Sequence, residues 1–136
     1  MNVTRRTFKK QISSLDAVFG FLDEALSPLA DNHAVMYPLQ LAVEEFFTNM
    51  VKYNPEGTQD IMIGVEREGN AVHVTIVDED VEPFDVTRAG VTDTSLDLAE
   101  RPVGGLGIYL SRALLDDIKY SYADRRSTII LIKNVE

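Results

Sequence analysis

Apolar residues recur at Leu39, Ala42, Val43, Phe46, Phe47 and Met50, the spacing of one face of a helix. This predicts a helix from Met36 to Asn54, stopped by Asn54-Pro55-Glu56-Gly57. An earlier apolar stretch runs to Leu26. Ser13-Ser14-Leu15-Asp16 offers helix-capping residues before it, and Ser27-Pro28 ends it. Asp60–Glu66 and Ala71–Asp78 alternate or run β-branched, which predicts two antiparallel strands joined at Arg67-Glu68-Gly69-Asn70. Thr4–Lys10 is a weaker, basic strand. Residues 79–103 carry neither period and contain Pro83, Gly90 and Pro102, so they read as a long loop of the kind that serves as a functional lid. Gly104-Gly105-Leu106-Gly107 opens a helical pattern through Leu115. Two strands close the chain, Ile118–Tyr122 and Ser127–Lys133. The order β-α-α-β-β-loop-α-β-β does not alternate as βαβ units do. It predicts an α/β two-layer sandwich, a mixed, mainly antiparallel sheet with helices on one face.

The chain has 136 residues, the size of a single domain, and is 45% hydrophobic and 26% charged, enough to fill one core. Acids outnumber bases 22 to 13, a net charge of −9 that repels phosphate backbones and anionic lipid and argues against direct nucleic-acid binding. The sequence has no cysteine, so disulfides, thiolate nucleophiles and cysteine-ligated metals are excluded. No apolar run approaches the roughly 20 residues of a membrane span. These features predict a cytoplasmic protein that does not enter a membrane.

Three local patterns carry candidate chemistry. On the second helix Glu45, Asn49 and Tyr53 form a stripe one turn apart at the edge of the apolar face. A carboxylate and an amide so placed suit a site where Asn gives an oxygen to a hard cation and Glu orients or deprotonates a nucleophile. The bland alternative is a Glu45–Lys52 pair and an Asn49 that satisfies backbone. Glycines at 104, 105 and 107, directly before a helix, leave backbone N–H groups open to a phosphate at the helix's positive end, or form a hinge. Five acids crowd into residues 78–85, at the end of the second long strand; such runs are commonly solvated turns.

In chain order these elements resemble the GHKL ATPase superfamily, specifically the small stand-alone anti-sigma-factor serine/threonine kinases of bacteria. The resemblance extends from the first strand to Lys133. Leu41-Ala-Val-Glu-Glu-Phe-Phe-Thr-Asn49 looks like the family's N-box, with its E-x-x-x-N pattern on Glu45 and Asn49. Arg101-Pro-Val-Gly-Gly-Leu-Gly-Ile-Tyr-Leu110 looks like its glycine-rich lid end. The resemblance implies a GHKL (Bergerat-type) fold, with residues 1–136 forming one histidine-kinase-like ATPase domain and a lid at about 79–103. It implies ATP and Mg²⁺ as cofactors, with Asn49 as the metal ligand, Glu45 as the catalytic base and Gly104, Gly105 and Gly107 around the phosphates. The adenine box D-x-G-x-P-F is altered. Counting back from Pro83-Phe84 puts Glu79 in the Asp slot and Val81 in the Gly slot, whereas keeping Asp78 as the adenine partner needs a one-residue insertion and leaves Asp80 for Gly. Neither residue gives the backbone freedom of glycine, so weakened or lost ATP binding is expected. The adenine-facing hydroxyl of the last strand is Thr128 or Ser127, and Tyr53 stands where relatives often carry His.

The first expectation is therefore a kinase that phosphorylates an anti-sigma-factor antagonist and holds a sigma factor in a partner-switching circuit, as a possible homodimer. The second is a degenerate module of the same fold that regulates a partner without phosphoryl transfer. A detached histidine-kinase catalytic domain fits less well, since no dimerisation helix pair is present. His33, read in a loop, and His73, on a strand, are expected to be structural. The basic first strand, with Arg5, Arg6, Lys9 and Lys10, reads as a solvated edge that discourages aggregation, or a partner surface.

Overall fold

Alternating apolar side chains along the central strands of a five-stranded sheet set the layers. The computed structural model describes residues 3–53, 60–79, 81 and 105–135. In chain order these form β1 (Val3–Phe8), α1 (Leu15–Ala25), α2 (His33–Tyr53), β2 (Ile61–Glu68), β3 (Ala71–Glu79), α3 (Gly105–Leu114), β4 (Asp117–Ala123) and β5 (Arg126–Asn134). The sheet order is β1-β2-β3-β5-β4, and each of its four pairings is antiparallel. The expected two-layer sandwich is present, with no parallel pair among the described strands.

Ile61, Ile63 and Val65 of β2, Val72, Val74 and Ile76 of β3, and Ile129 and Leu131 of β5 are buried on the helix-facing side. Phe21 and Leu22 of α1, and Leu39, Phe46, Phe47 and Met50 of α2, close on them. Burying each such large side chain contributes about 1.5–3 kcal/mol. Register then fixes which residues share a face. Met62↔Val77↔Thr128↔Ser121 is one row across β2, β3, β5 and β4, and its side chains point away from the helices. The neighbouring row carries Asp78↔Ser127↔Tyr122 and points toward them.

Turn geometry supports this register. Gly69 and Asn70 join β2 to β3, and Gly69 takes φ +60, which glycine adopts without penalty. Asp124 and Arg125 join β4 to β5 with φ of 53 and 62, the two left-handed residues that a tight I′ hairpin requires.

Helix ends depart from the sequence reading. α2 starts at His33, ahead of the expected Met36, because the Asn32 carbonyl accepts the N–H groups of Val35 and Met36 at 3.1 and 2.9 Å. His33 is thus the exposed first residue of a helix and not part of a loop, and Pro38 lies inside the helix. Ser14 precedes α1 but does not cap it; its hydroxyl donates to the Lys9 carbonyl at 2.8 Å. His73 is half-buried on β3, 3.8 Å from Glu68. No helix among the described residues is long and apolar enough to cross a membrane.

Candidate functional site

Where each segment enters the sandwich decides which side chains meet at its ends. α2 ends at Tyr53, and residues 54–60 lead to Ile61, at the start of β2. Ile61 lies beside the end of β3, where Asp78 faces the helices. The far end of α3 is fixed at the opposite end of the sheet, where the Asp116 N–H donates to the Ile132 carbonyl and Lys133 Nζ to the Leu114 carbonyl, both at 2.9 Å. A ten-residue helix is about 15 Å long, so α3, packed beside α2, directs its Gly105 end toward the Asp78 end of the sheet. The structure therefore gathers the end of α2, the end of β3 and the start of α3 at one end of the sandwich. Gly105 opens α3 and Gly107 lies in its first turn; Gly104 and most of the expected lid, residues 80 and 82–103, lie outside the described residues.

The polar groups at this end are buried. Asn49 is 3% exposed and Ser127 1%, and Asn49 Nδ2 and Ser127 Oγ have no hydrogen-bond partner among the described residues. Buried polar atoms are rarely left so, and an orphaned amide is a binding group in waiting. Half a turn of the amide exchanges its nitrogen and oxygen, so the same position can offer an oxygen to a cation. The bland expectation that Asn49 satisfies backbone is not met by Nδ2. Among the described residues no group of three His, Asp or Glu side chains converges to hold a metal unaided. A cation here would take Asn49 together with oxygens of its ligand.

Glu45 sits one turn earlier on α2, half-buried. Burial holds its carboxyl above the ordinary carboxylate value, Glu44 adds to the rise, and Lys52 opposes it. Such a shift moves a carboxylate toward the range of a useful proton acceptor.

The sheet pleat separates the two candidates for the adenine-box acid. Asp78 points to the helix side and is fully buried; Glu79 points to the other face, where its carboxylate pairs with Arg126. The same alternation separates the hydroxyls. Ser127, opposite Asp78, faces the helices, whereas Thr128, opposite Val77, lies on the outer face, in a cleft of about 330 Å³ shared with Glu79, Ser121 and Arg126. The assignment of Glu79 and Thr128 to the same site as Asn49 is corrected accordingly. A period of two forbids adjacent residues from sharing a face.

Two further features escaped sequence reasoning. Lys10 leaves the basic first segment and turns inward, its Nζ 2.9 and 3.1 Å from the two Asp78 oxygens; its side chain is 7% exposed. Arg6 lies over the Phe21 ring at 5.4 Å, and Phe8 meets that ring edge-on. The first strand is thus not simply a solvated edge. No local pattern could have disclosed Lys10–Asp78, which spans 68 positions in sequence. Val81, which falls in the glycine slot only when Glu79 takes the Asp slot, is buried, its N–H donating to the Arg125 carbonyl at 3.0 Å and its own carbonyl accepting from the Tyr122 hydroxyl at 2.7 Å.

Comparison with known proteins gives this geometry a family. Residues 9–133 match the histidine kinase-like ATPase domain. The chain belongs to that family. Within it, the chain is 33% identical over 103 residues to the serine-protein kinase RsbW of Listeria monocytogenes, covering 71% of this chain and 64% of that protein. It is 32% identical to RsbW of Listeria innocua over the same shares. The match therefore spans just under two thirds of these relatives' length. In structure the ATPase domain is similar to the RsbU and RsbW domains of Rv1364c from Mycobacterium tuberculosis, with a TM-score of 0.68 at 16% identity over 98% of this chain and 32% of that one. It is also similar to the Acinetobacter baumannii histidine kinase AdeS, with a TM-score of 0.55 at 13% identity over 100% of this chain and 70% of that one. These likenesses establish the GHKL-type fold. The family-level resemblance read from Glu45, Asn49 and the glycine segment holds.

Proposed function

We propose that this histidine kinase-like ATPase domain binds ATP with Mg²⁺ and acts as an anti-sigma regulator, a protein serine/threonine kinase directed at an anti-sigma-factor antagonist. The observation that carries the reading is Asn49: a buried amide with an unpartnered Nδ2, at the position the E-x-x-x-N motif gives to a metal ligand. ATP, when bound, supplies the γ-phosphoryl group, and Mg²⁺ the neutralising charge, on which phosphoryl transfer chiefly depends. Asn49 offers its amide oxygen to the cation. The first-turn N–H groups at the Gly105 end of α3, which a helix cannot bond internally, suit phosphate oxygens. Glu45, held above the usual carboxylate value, would accept the proton of the incoming serine hydroxyl, the phosphoryl group passing to the serine oxygen and ADP departing as the leaving group. Asp78 and Ser127 line the base end of the site.

Partners follow from the same reading: the antagonist as phosphoryl acceptor, a sigma factor held by charge complementarity to the −9 surface, and a second copy in a homodimer. Cytoplasmic residence, without membrane or direct nucleic-acid binding, agrees with that charge. A calorimetric titration with ATP, with and without Mg²⁺, tests the core of the proposal. Binding that strengthens with Mg²⁺ in the wild type, and loses that Mg²⁺ dependence in Asn49→Ala, is expected; no binding refutes it. The degenerate-module reading is favoured by the altered adenine box, which holds no glycine whether it is counted from Asp78 or from Glu79. Nucleotide binding without transfer to any serine-bearing partner would support that alternative.

A further inference from the structure

Lysine is seldom buried unless it is paired, and Lys10 is paired in an unusual place. It follows β1 by two residues, yet its ammonium lies against the acid at the base end of the proposed site. Both of its hydrogen bonds among the described residues go to the two Asp78 oxygens. An ammonium has three N–H donors, so among the described residues at least one remains unspent, in a position almost closed to water. Directly across from Asp78, the Ser127 hydroxyl is also buried and unpartnered. Val81, three residues on, has its amide N–H held by the Arg125 carbonyl, while its carbonyl accepts from the Tyr122 hydroxyl.

An acceptor and a donor thus stand side by side: a carboxylate oxygen and the remaining ammonium N–H. The edge of adenine presents the complementary pair, an exocyclic amino donor beside the ring nitrogen N1. Building on the nucleotide reading above, we propose that Lys10 is a base-reading residue: while Asp78 accepts from the amino group of adenine, Lys10 donates its spare N–H to N1. The ion pair carries no net charge, so it reads the neutral base without placing an uncompensated charge against it.

The discriminating ligand is 1-deaza-ATP, in which ring nitrogen N1 is replaced by C–H. Calorimetric titration of the full chain with Mg-ATP and with Mg-1-deaza-ATP, in the wild type and in Lys10→Met, forms a cycle. The wild type is expected to bind the deaza analogue at least about 10-fold more weakly, the loss of a hydrogen bond from a charged donor. Lys10→Met is expected to bind both ligands alike, at the weaker level. Equal affinities of the wild type for the two ligands overturn the proposal. So does a Lys10→Met variant that binds ATP as tightly as, or more tightly than, the wild type, since Lys10 would then only compete with the base for Asp78. Should the variant fail to fold, the two wild-type titrations decide alone. A wild type that binds neither ligand sinks the ATP reading itself; one that binds both equally sinks only the role of Lys10.

Discussion

Asn49→Leu separates a residue kept for the fold from one kept for a ligand. Asn49 is buried with Nδ2 unpartnered, and a buried donor without an acceptor costs roughly 1–3 kcal/mol. Leucine removes that cost and adds apolar contact among the core residues around α2. Its greater bulk returns part of the gain, since overpacking typically costs about 1–3 kcal/mol, leaving a net stabilisation of about 1 kcal/mol. Unfolding entropy of roughly 2.1 cal/mol/K per residue amounts to about 0.29 kcal/mol/K for this 136-residue chain. The variant should therefore melt about 3–4 °C above the wild type without nucleotide. At Mg-ATP concentrations of about 100 times Kd the wild type gains about 2.7 kcal/mol, or about 9 °C, while the variant gains almost nothing. Differential scanning calorimetry would show the two melting temperatures exchange order on adding Mg-ATP. A variant that melts well below the wild type in the absence of nucleotide refutes the premise of an unmet amide. Equal stabilisation of both proteins by Mg-ATP refutes its place in the site.

Three other outcomes follow from the structure. Asp78→Asn leaves the Lys10 ammonium without its counter-charge in a site 7% exposed or less; breaking such a pair should cost about 3–5 kcal/mol, read as a lower urea midpoint with an unchanged slope, and no change in midpoint would count against a fully buried pair. For Glu45, whose folded carboxyl titrates above the ordinary value of 4.5, the unfolded chain loses its proton first. Wild-type stability should then fall as pH rises from 4.5 through the raised folded value, and Glu45→Gln should lack that component in urea melts across this window; parallel pH curves for the two proteins contradict the shift. Gly69→Ala meets no neighbouring atom within 4 Å but must keep φ +60, so it should lose about 1–2 kcal/mol from backbone strain alone, with a native circular dichroism spectrum; an unchanged thermal midpoint would show that the turn relaxes.

Much of this protein is legible along the chain. The period of 3.6 in residues 39–50 identifies α2 because burial of Phe46, Phe47 and Met50 requires it, and the period of two identifies β2 and β3 for the same reason. Glu45 and Asn49 could be chosen as a pair because they lie one turn apart on one element, a separation the backbone fixes by itself. Element ends were less legible. The start of α2, at His33 and not at Met36, depends on the Asn32 carbonyl.

The acid-rich segment shows where sequence stops. From residues 78–85 alone, Asp78 and Glu79 are equally good acids, and Ser127 and Thr128 equally good hydroxyls. Only pairing and pleat decide between neighbours, because one position turns a side chain from the helix layer to the outer face; β3 against β5 sends Asp78 and Ser127 inward, and Glu79 and Thr128 outward. The sequence by itself determined the elements and the stripe of α2, which local periodicity and spacing encode, while the family was legible only as a resemblance carried by the E-x-x-x-N and glycine-rich segments. The tertiary structure alone decided that Lys10 meets Asp78, since a contact between residues 68 positions apart is set by how β1 and β3 are brought together in one sheet and by nothing in either segment.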